Sequence, residues 1–502
     1  MPRTGRLVSV MALMACALIV SGSCRVERPP GAAPPGERGL ESIVRELEQQ
    51  MPGATVGVLV ADATTGEELV SANADRLFVP ASTQKLFTTA AALEELGGSY
   101  RFLTRAILAP NERGGSDLVL IGGGDPSIDG TAGACPEALF SQVALALARA
   151  GMHRIDGDVV GDDSRLGRDY HHPSWQLADL DQPYGAPVSA LTFDDNSVAI
   201  RVQSISGQPP MVATPAPYDV TSTLQSSDHT QILYERSNPT GPLTLAGWIG
   251  TDRVEVRVVP IARPALHWAG ELKRYLESAG IGVGGLARER LGDHPPSHGT
   301  TILEWPSPPL RDLILQVNQR SLNLWADLLY KTLGEEVVGD GTFAGGADAV
   351  ALMVARAGIG ASDVVLVDGS GLSRVNLVTP TALVKLLLHM RASPHATDFA
   401  SSLPVAGRDG TLRMRFAGTP LEGRLLAKTG TLQWVSAIAG YIRISRELAF
   451  AVTVNGRLVS SAACSAAIDK ALVRIAAAIE AKGERDKGKS MYAPSRSGES
   501  DL

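Results

Sequence analysis

Apolar residues at near-helical spacing predict a short helix over Leu40 to Gln50. A hairpin pattern follows: Ala54–Ala61, a turn at Thr64-Thr65-Gly66, then Glu67–Val70. A helix follows from Ser82 to Leu96, stopped by Gly97-Gly98. Between 101 and 300 the texture changes. Short strand-like runs (Asp117–Ile121, Val198–Val202, Val254–Val259) alternate with turns rich in Gly, Pro and Asp, and only Glu137–Ala150 and Ala265–Ala279 carry longer helical patterns. Helical periodicity returns from Ser307, over Pro309–Thr332, Ala347–Ala357 and Pro380–Met390. Two late strands, Trp434–Ile444 and Leu448–Asn455, precede a last helix, Ala462–Ala481. A hairpin near each end, each beside a long helix, predicts an α/β (α+β) fold: one antiparallel sheet flanked by helices, with an inserted β-rich region. Residues 40–100 and 301–482 form the split main domain in this scheme, 101–300 the insertion, and 483–502 a charged, Ser-rich disordered tail.

The N-terminus reads as an export signal over residues 1–24: Arg3 and Arg6, an apolar run from Leu7 to Val20, then Ser21-Gly22-Ser23 ahead of Cys24. Those small residues resemble a lipoprotein cleavage site, which would place a lipid tether on Cys24; a cleaved, soluble product is the alternative. Residues 25–39 read as a solvated linker. Cys135 and Cys464 read as isolated buried thiols. No Cys–His spacing suggests a metal, and no cofactor is expected. The formal charge of −7 argues against nucleic acid as main partner, since phosphate binding needs a basic surface.

Three short motifs carry candidate chemistry. Ser82 and Lys85 form a Ser-x-x-Lys, which on a helix places both side chains on one face. A serine needs a base to take its proton, and a lysine serves when burial lowers its pKa. Ser321 and Asn323 form a Ser-x-Asn that can relay a proton and hold a substrate backbone; Ser71-Ala72-Asn73 matches the same pattern but reads as a turn. Lys428-Thr429-Gly430-Thr431, on an edge strand ahead of Trp434–Ile444, offers a cation and a hydroxyl to a carboxylate, and a glycine that admits an added peptide strand.

Taken in order, the three resemble the signature of penicillin-binding proteins and serine β-lactamases. The chain is most similar to the low-molecular-mass class C penicillin-binding proteins, the D-alanyl-D-alanine carboxypeptidase/endopeptidases of peptidase family S13, from about Leu40 to Ala481. Supporting segments are Gly123-Gly124-Asp125-Pro126, Tyr184-Gly185-Ala186-Pro187 with Ser189-Ala190-Leu191, Asp368-Gly369-Ser370-Gly371-Leu372-Ser373-Arg374 and Arg408-Asp409-Gly410-Thr411-Leu412. Leu322 departs from the Asp common inside Ser-x-Asn. The Asp368–Arg374 segment also reads as a Gly-rich loop able to fold over a cleft.

The resemblance implies the penicillin-binding/β-lactamase-like transpeptidase fold, with two nested domains in 101–300. It implies Ser82 as nucleophile, Lys85 as its base, and Ser321 and Asn323 as proton-transfer and positioning groups. Lys428 and Thr429 would hold the substrate carboxylate, and the N–H groups of Ser82 and Thr431 the oxyanion. Arg374, Asp179 and Tyr184 match positions that hold the zwitterionic end of a meso-diaminopimelyl side chain; the surroundings of Asp179 read as loop. The implied substrates are peptidoglycan peptides ending in D-Ala-D-Ala or cross-linked through meso-diaminopimelate, in the periplasm or cell envelope, with β-lactams as covalent inhibitors. A serine β-lactamase shares all three motifs. A non-catalytic peptidoglycan-binding homologue would be expected to lack a catalytic residue.

Overall fold

The computed structural model describes residues 37–491 except 131–134, 215–219, 237–241, 291–295 and 297. The export signal, Cys24 and most of the linker lie outside those residues. Helix α1 begins at Glu37 and runs to Gln49, so it reaches into the stretch read as linker.

The first sheet joins the two ends of the chain. Strands β1 (Thr55–Asp62) and β2 (Glu68–Ala72) pair antiparallel with each other, and β1 also pairs with β5 (Glu447–Asn455). With β3 (Leu425–Leu432) and β4 (Val435–Arg443) the order is β3–β4–β5–β1–β2. The central strands are apolar on both faces because both faces are covered. Val56, Val58 and Val60 join a core under α1 and α6 (Ser461–Met491), which includes Leu40, Val44, Leu472 and Ile475. Leu59 and Ala61, on the other side of the pleat, join a second core with α2 (Lys85–Glu95), α3 (Leu310–Arg320), α4 (Asn323–Leu333) and α5 (Pro380–Ala392). β3 is an edge, which leaves one side of the Lys428–Thr431 backbone unpaired by the sheet.

The middle of the chain builds a third core around a mixed five-stranded sheet, in the order Ala287–Glu289, Val159–Asp162, Ser116–Ile121, Leu103–Pro110, Thr300–Pro306. Helices Pro136–Arg149 and Pro264–Ser278 pack into that core. A three-stranded and a four-stranded sheet complete it.

Three expectations need correcting. Thr300–Pro306 pairs antiparallel with Leu103–Pro110, so residues 301–306 belong with the insertion's sheet and the return comes at Ser307. Cys135 is exposed, at the N-terminus of its helix, and only Cys464 is buried; both are free thiols. α6 continues to Met491 instead of ending at Ala481, and residues 492–502 of the tail lie outside the described part.

Candidate active site

Ser82 does not open a regular helix. It sits in a 3-10 turn, Ala81–Gln84, immediately ahead of α2. Ala81, fully buried, has φ 48°, a left-handed conformation that costs a residue with a Cβ roughly 1–2 kcal/mol. Thr83 anchors the turn by donating its hydroxyl to the Pro80 carbonyl at 2.8 Å. Gly371 lies so close that a Cβ there would sit 2.0 Å from the Ala81 carbonyl oxygen. The turn that carries Ser82 is therefore held in a strained form by its neighbours, as happens where geometry matters more than local comfort.

Lys85 is fully buried one turn on. Its Nζ donates to Ser82 Oγ at 2.9 Å, to Asn323 Oδ1 at 2.7 Å and to the Ser370 carbonyl at 2.6 Å. Burial lowers its pKa to about 8, against the opposing pull of Asp327 and Asp368. A lysine in this state is a general base matched to neutral or mildly basic pH.

Ser321 and Asn323 reach the same cleft because the predicted helix Pro309–Thr332 is two helices. α3 ends where Ser321 takes the left-handed conformation (φ 61°, ψ 38°), Leu322 is extended, and α4 restarts at Asn323. The break turns the serine and the asparagine toward different lysines. Ser321 Oγ accepts from Lys428 Nζ at 2.8 Å, while Asn323 accepts from Lys85 and donates its Nδ2 to the Tyr184 carbonyl at 3.1 Å.

Lys428 is fully buried on β3, and its Nζ also donates to the Thr429 carbonyl at 2.8 Å. Burial first, and then the charge of Lys85, push its pKa well below the ordinary lysine value. Its charged form is thus disfavoured by burial, and an arriving carboxylate would favour it. Thr429 Oγ1 bonds Thr411 Oγ1 at 2.8 Å. A Cβ on Gly430 would lie 2.6 Å from the Pro80 carbonyl oxygen and 3.0 Å from the Ser82 nitrogen, so the edge strand passes directly over the turn that carries Ser82.

The segment Asp368–Arg374 is not a flap over the cleft. Asp368, Ser370 and Ser373 are fully buried, and the segment is fastened beneath α2. Gln84 donates to the Asp368 carbonyl at 2.9 Å and Thr88 to the Gly369 carbonyl at 2.7 Å. The Asp368 carboxylate accepts from the Gly371 and Ser373 N–H groups, from Asn376 and from Trp175. Asp327, absent from the motif reading, holds the same segment from α4: its Oδ1 accepts the Gly369 and Ser370 N–H groups at 2.8 and 3.0 Å. Burial and the neighbouring Asp368 push its carboxyl well above the usual range. Its signal in the sequence is faint, a single acid four residues after Asn323 within a largely apolar helix.

Arg374, at the end of this segment, donates to Asp179 Oδ2 at 2.6 Å, and the Tyr184 hydroxyl donates to Asp179 Oδ1 at 3.2 Å. Asp179 stands on a short helix, Leu177–Leu180, where loop was expected. The structure thus brings the three residues together, with the anion and cation bonded to each other instead of held apart. The Arg374 side chain remains 27% exposed and Tyr184 47% exposed, so both keep a face toward solvent.

Comparison with known proteins agrees with this architecture. The model of the D-Ala-D-Ala carboxypeptidase 3 (S13) family matches residues 38–479. A D-alanyl-D-alanine carboxypeptidase of Actinomadura sp. (strain R39) is 33% identical over 451 residues, 85% of this chain and 82% of the relative. The D-alanyl-D-alanine carboxypeptidase DacB of Haemophilus influenzae is 26% identical over 431 residues, 82% of this chain and 88% of the relative. In fold, the crystal structure of penicillin binding protein 4 (dacB) from Haemophilus influenzae superposes with a TM-score of 0.75 at 24% identity, covering 90% of this chain and 99% of that one. With the family model spanning nearly everything from α1 to α6, the chain belongs to the D-Ala-D-Ala carboxypeptidase 3 (S13) family.

Proposed function

We propose that this protein is a serine DD-peptidase that cleaves after a D-alanine in peptidoglycan stem peptides, either removing a terminal D-alanine or opening a cross-link. The observation that carries the assignment is the buried Lys85 Nζ, 2.9 Å from Ser82 Oγ and with its pKa lowered to about 8. In its free-base form Lys85 takes the Ser82 hydroxyl proton as Oγ bonds to the carbonyl carbon of the penultimate D-alanine. The C–N bond then breaks, and the proton passes through the Ser321 hydroxyl to the leaving amine. Water attacks the resulting ester and gives a proton to Lys85, and Ser82 recovers its hydroxyl.

Ser82 and Thr431 N–H groups serve the oxyanion. Lys428 and Thr429 face the terminal carboxylate, so the peptide lies antiparallel along the open edge of β3. In a β-lactam the broken amide leaves its amine tethered to the acyl group, and acylation of the same serine accounts for inhibition. Arg374 and Asp179, opened to a ligand, offer complementary charges to the zwitterionic end of a meso-diaminopimelyl side chain, beside Tyr184. The catalytic unit in this proposal comprises 40–100 and the chain from Ser307 to about 482. The protein acts in the cell envelope, exported by residues 1–24, with a lipid on Cys24 as tether.

The direct test is product release from purified pentapeptide monomer and cross-linked dimer, comparing wild type with Ser82→Ala. Loss of D-alanine, or conversion of dimer to monomer, should depend entirely on Ser82. Turnover that persists in Ser82→Ala would assign the chemistry to another group.

A further inference from the structure

The three-stranded sheet of the insertion ends in an open edge. Strand Val254–Pro260 pairs antiparallel with Ser197–Gln203, which pairs in turn with Met211–Ala213, and among the described residues no strand lies on its other side. The ends of the ladder fix its phase. The Ser204 N–H donates to the Arg253 carbonyl at 2.9 Å, and the Ile261 N–H donates to the Asn196 carbonyl at 2.7 Å. Every second residue between them, Glu255, Arg257 and Val259, therefore turns its backbone toward the neighbouring strand. Val254, Val256 and Val258 turn theirs outward. Beyond them the edge is closed, because the Pro260 carbonyl accepts the Arg236 guanidinium.

Sheets blunt an open edge with lysine, proline or a bulge. The three outward residues have none of these: all are valine, and the register runs unbroken from Val254 to Pro260. Their side chains share one face and are 46, 54 and 48% exposed. Glu255 and Arg257 stand on the opposite face and bond each other at 2.9 Å. One acid and one base are thus placed symmetrically about Val256.

That symmetry selects the partner. When a second copy adds antiparallel with Val256 opposite Val256, Val254 of each chain meets Val258 of the other, and the outward N–H and C=O groups of all six valines are paired. The Val256 carbonyl now accepts Arg257 Nη1 of its own strand at 3.2 Å, a bond that the partner's N–H replaces. The same register sets Glu255 opposite Arg257 on both sides of the twofold axis. A shift of two residues one way sets Glu255 opposite Glu255, and the other way Arg257 opposite Arg257; like charges directly opposite are unfavourable. The strand length also fits. Asp252, in a turn with φ 56°, falls opposite Pro260, so the added strand turns away where Arg236 closes the edge.

We propose that the protein forms a twofold dimer through Val254–Val258, joining the two three-stranded sheets of the insertions into one. A pairing this short belongs to the small, weak class of interfaces, so the dimer is reversible. None of the catalytic assignments enters the argument.

Sedimentation velocity over a concentration series tests it. The wild type should pass from monomer to dimer. Val256→Pro removes an N–H that the ladder to Ser197–Gln203 does not use, as proline on an edge strand can. It should stay folded, with Tm and penicillin acylation of Ser82 little changed, and remain monomeric. Glu255→Arg and Arg257→Glu each turn two attractive cross-strand pairs into repulsive ones and should raise the dimer Kd by about tenfold. Mixed together, these two variants oppose unlike charges at both pairs and should form a heterodimer about as tight as the wild-type dimer. A wild type that is monomeric at every soluble concentration, its edge then being open to some other strand, overturns the proposal. So does a dimer that survives Val256→Pro, or a mixture of the charge variants that associates no better than either alone.

Discussion

Asp327 reaches Lys85 through one residue: its Oδ1 accepts the Ser370 N–H at 3.0 Å, and the Ser370 carbonyl accepts Lys85 Nζ at 2.6 Å. Removing the acceptor leaves the Gly369 and Ser370 N–H groups buried and unbonded, at about 1–3 kcal/mol each, and frees the carbonyl that aims the base. Asp327→Ala should therefore slow penicillin acylation by about 100-fold, the scale of a small misplacement near reacting atoms. Asp327→Asn keeps an acceptor of the same shape. Because burial and Asp368 already favour the protonated acid, the amide should acylate within about tenfold of wild type. Equal rates for the alanine and asparagine variants, both folded by circular dichroism, would remove Asp327 from this role.

Much of this architecture was legible in the sequence, and the gaps have physical causes. Both terminal hairpins showed as apolar runs joined by short polar turns. The three motifs showed because residue type and local spacing define them. The break at Ser321 did not, since the apolar helical period runs through it, from Leu313, Ile314 and Val317 to Leu324, Trp325 and Leu328. Strand Thr300–Pro306 was misassigned because its partner, Leu103–Pro110, lies far away in sequence. The Ser370 carbonyl was invisible to motif reading because every residue has one. Likewise, no local pattern distinguishes the exposed Cys135 from the buried Cys464.

The lowered pKa of Lys85 sets the pH dependence. Only the free base can take the Ser82 proton, so acylation should climb with pH, about tenfold per unit well below the pKa, and level off above about 8. Lys85 and the Asp327 carboxyl shift each other, so the apparent value belongs to that pair. Stopped-flow acylation by a chromogenic cephalosporin from pH 5 to 9 would show the limb. A limb near the ordinary histidine value, about 6.5, that survived Lys85→Arg would mean that another base does the work.

Arg374 tests the side-chain pocket separately from the chemistry. Its guanidinium bonds Asp179 at 2.6 Å and the Leu372 carbonyl at 3.3 Å, and not the partners of Lys85. A charge-assisted bond to a ligand carboxylate is worth about 1.5–3 kcal/mol, and partial exposure favours the lower end. Arg374→Ala should cut kcat/KM on diaminopimelate-containing peptides by about tenfold. A simple diacylated D-Ala-D-Ala substrate should hardly respond. Parallel losses on both substrates would mean that the ion pair only supports the fold.

Gly430 offers the sharpest separation of catalytic geometry from stability. A methyl there would meet the Pro80 carbonyl oxygen at 2.6 Å and the Ser82 and Thr83 nitrogens at 3.0 and 3.1 Å. These are backbone atoms of a turn already strained at Ala81 and fixed by Gly371 behind it, so the turn has little room to retreat. The edge strand has more, because at Gly430 only β4 pairs with it. Gly430→Ala should therefore push β3 outward, taking the Thr431 N–H off the oxyanion position while the core beneath stays packed. Acylation should fall by about 100-fold, and Tm should shift by only a few degrees, about what one kcal/mol of strain gives. Fluorescent-penicillin labelling alongside a melting curve would measure both. Unimpaired labelling would mean that the turn yields and the strand's close approach is not needed for acylation.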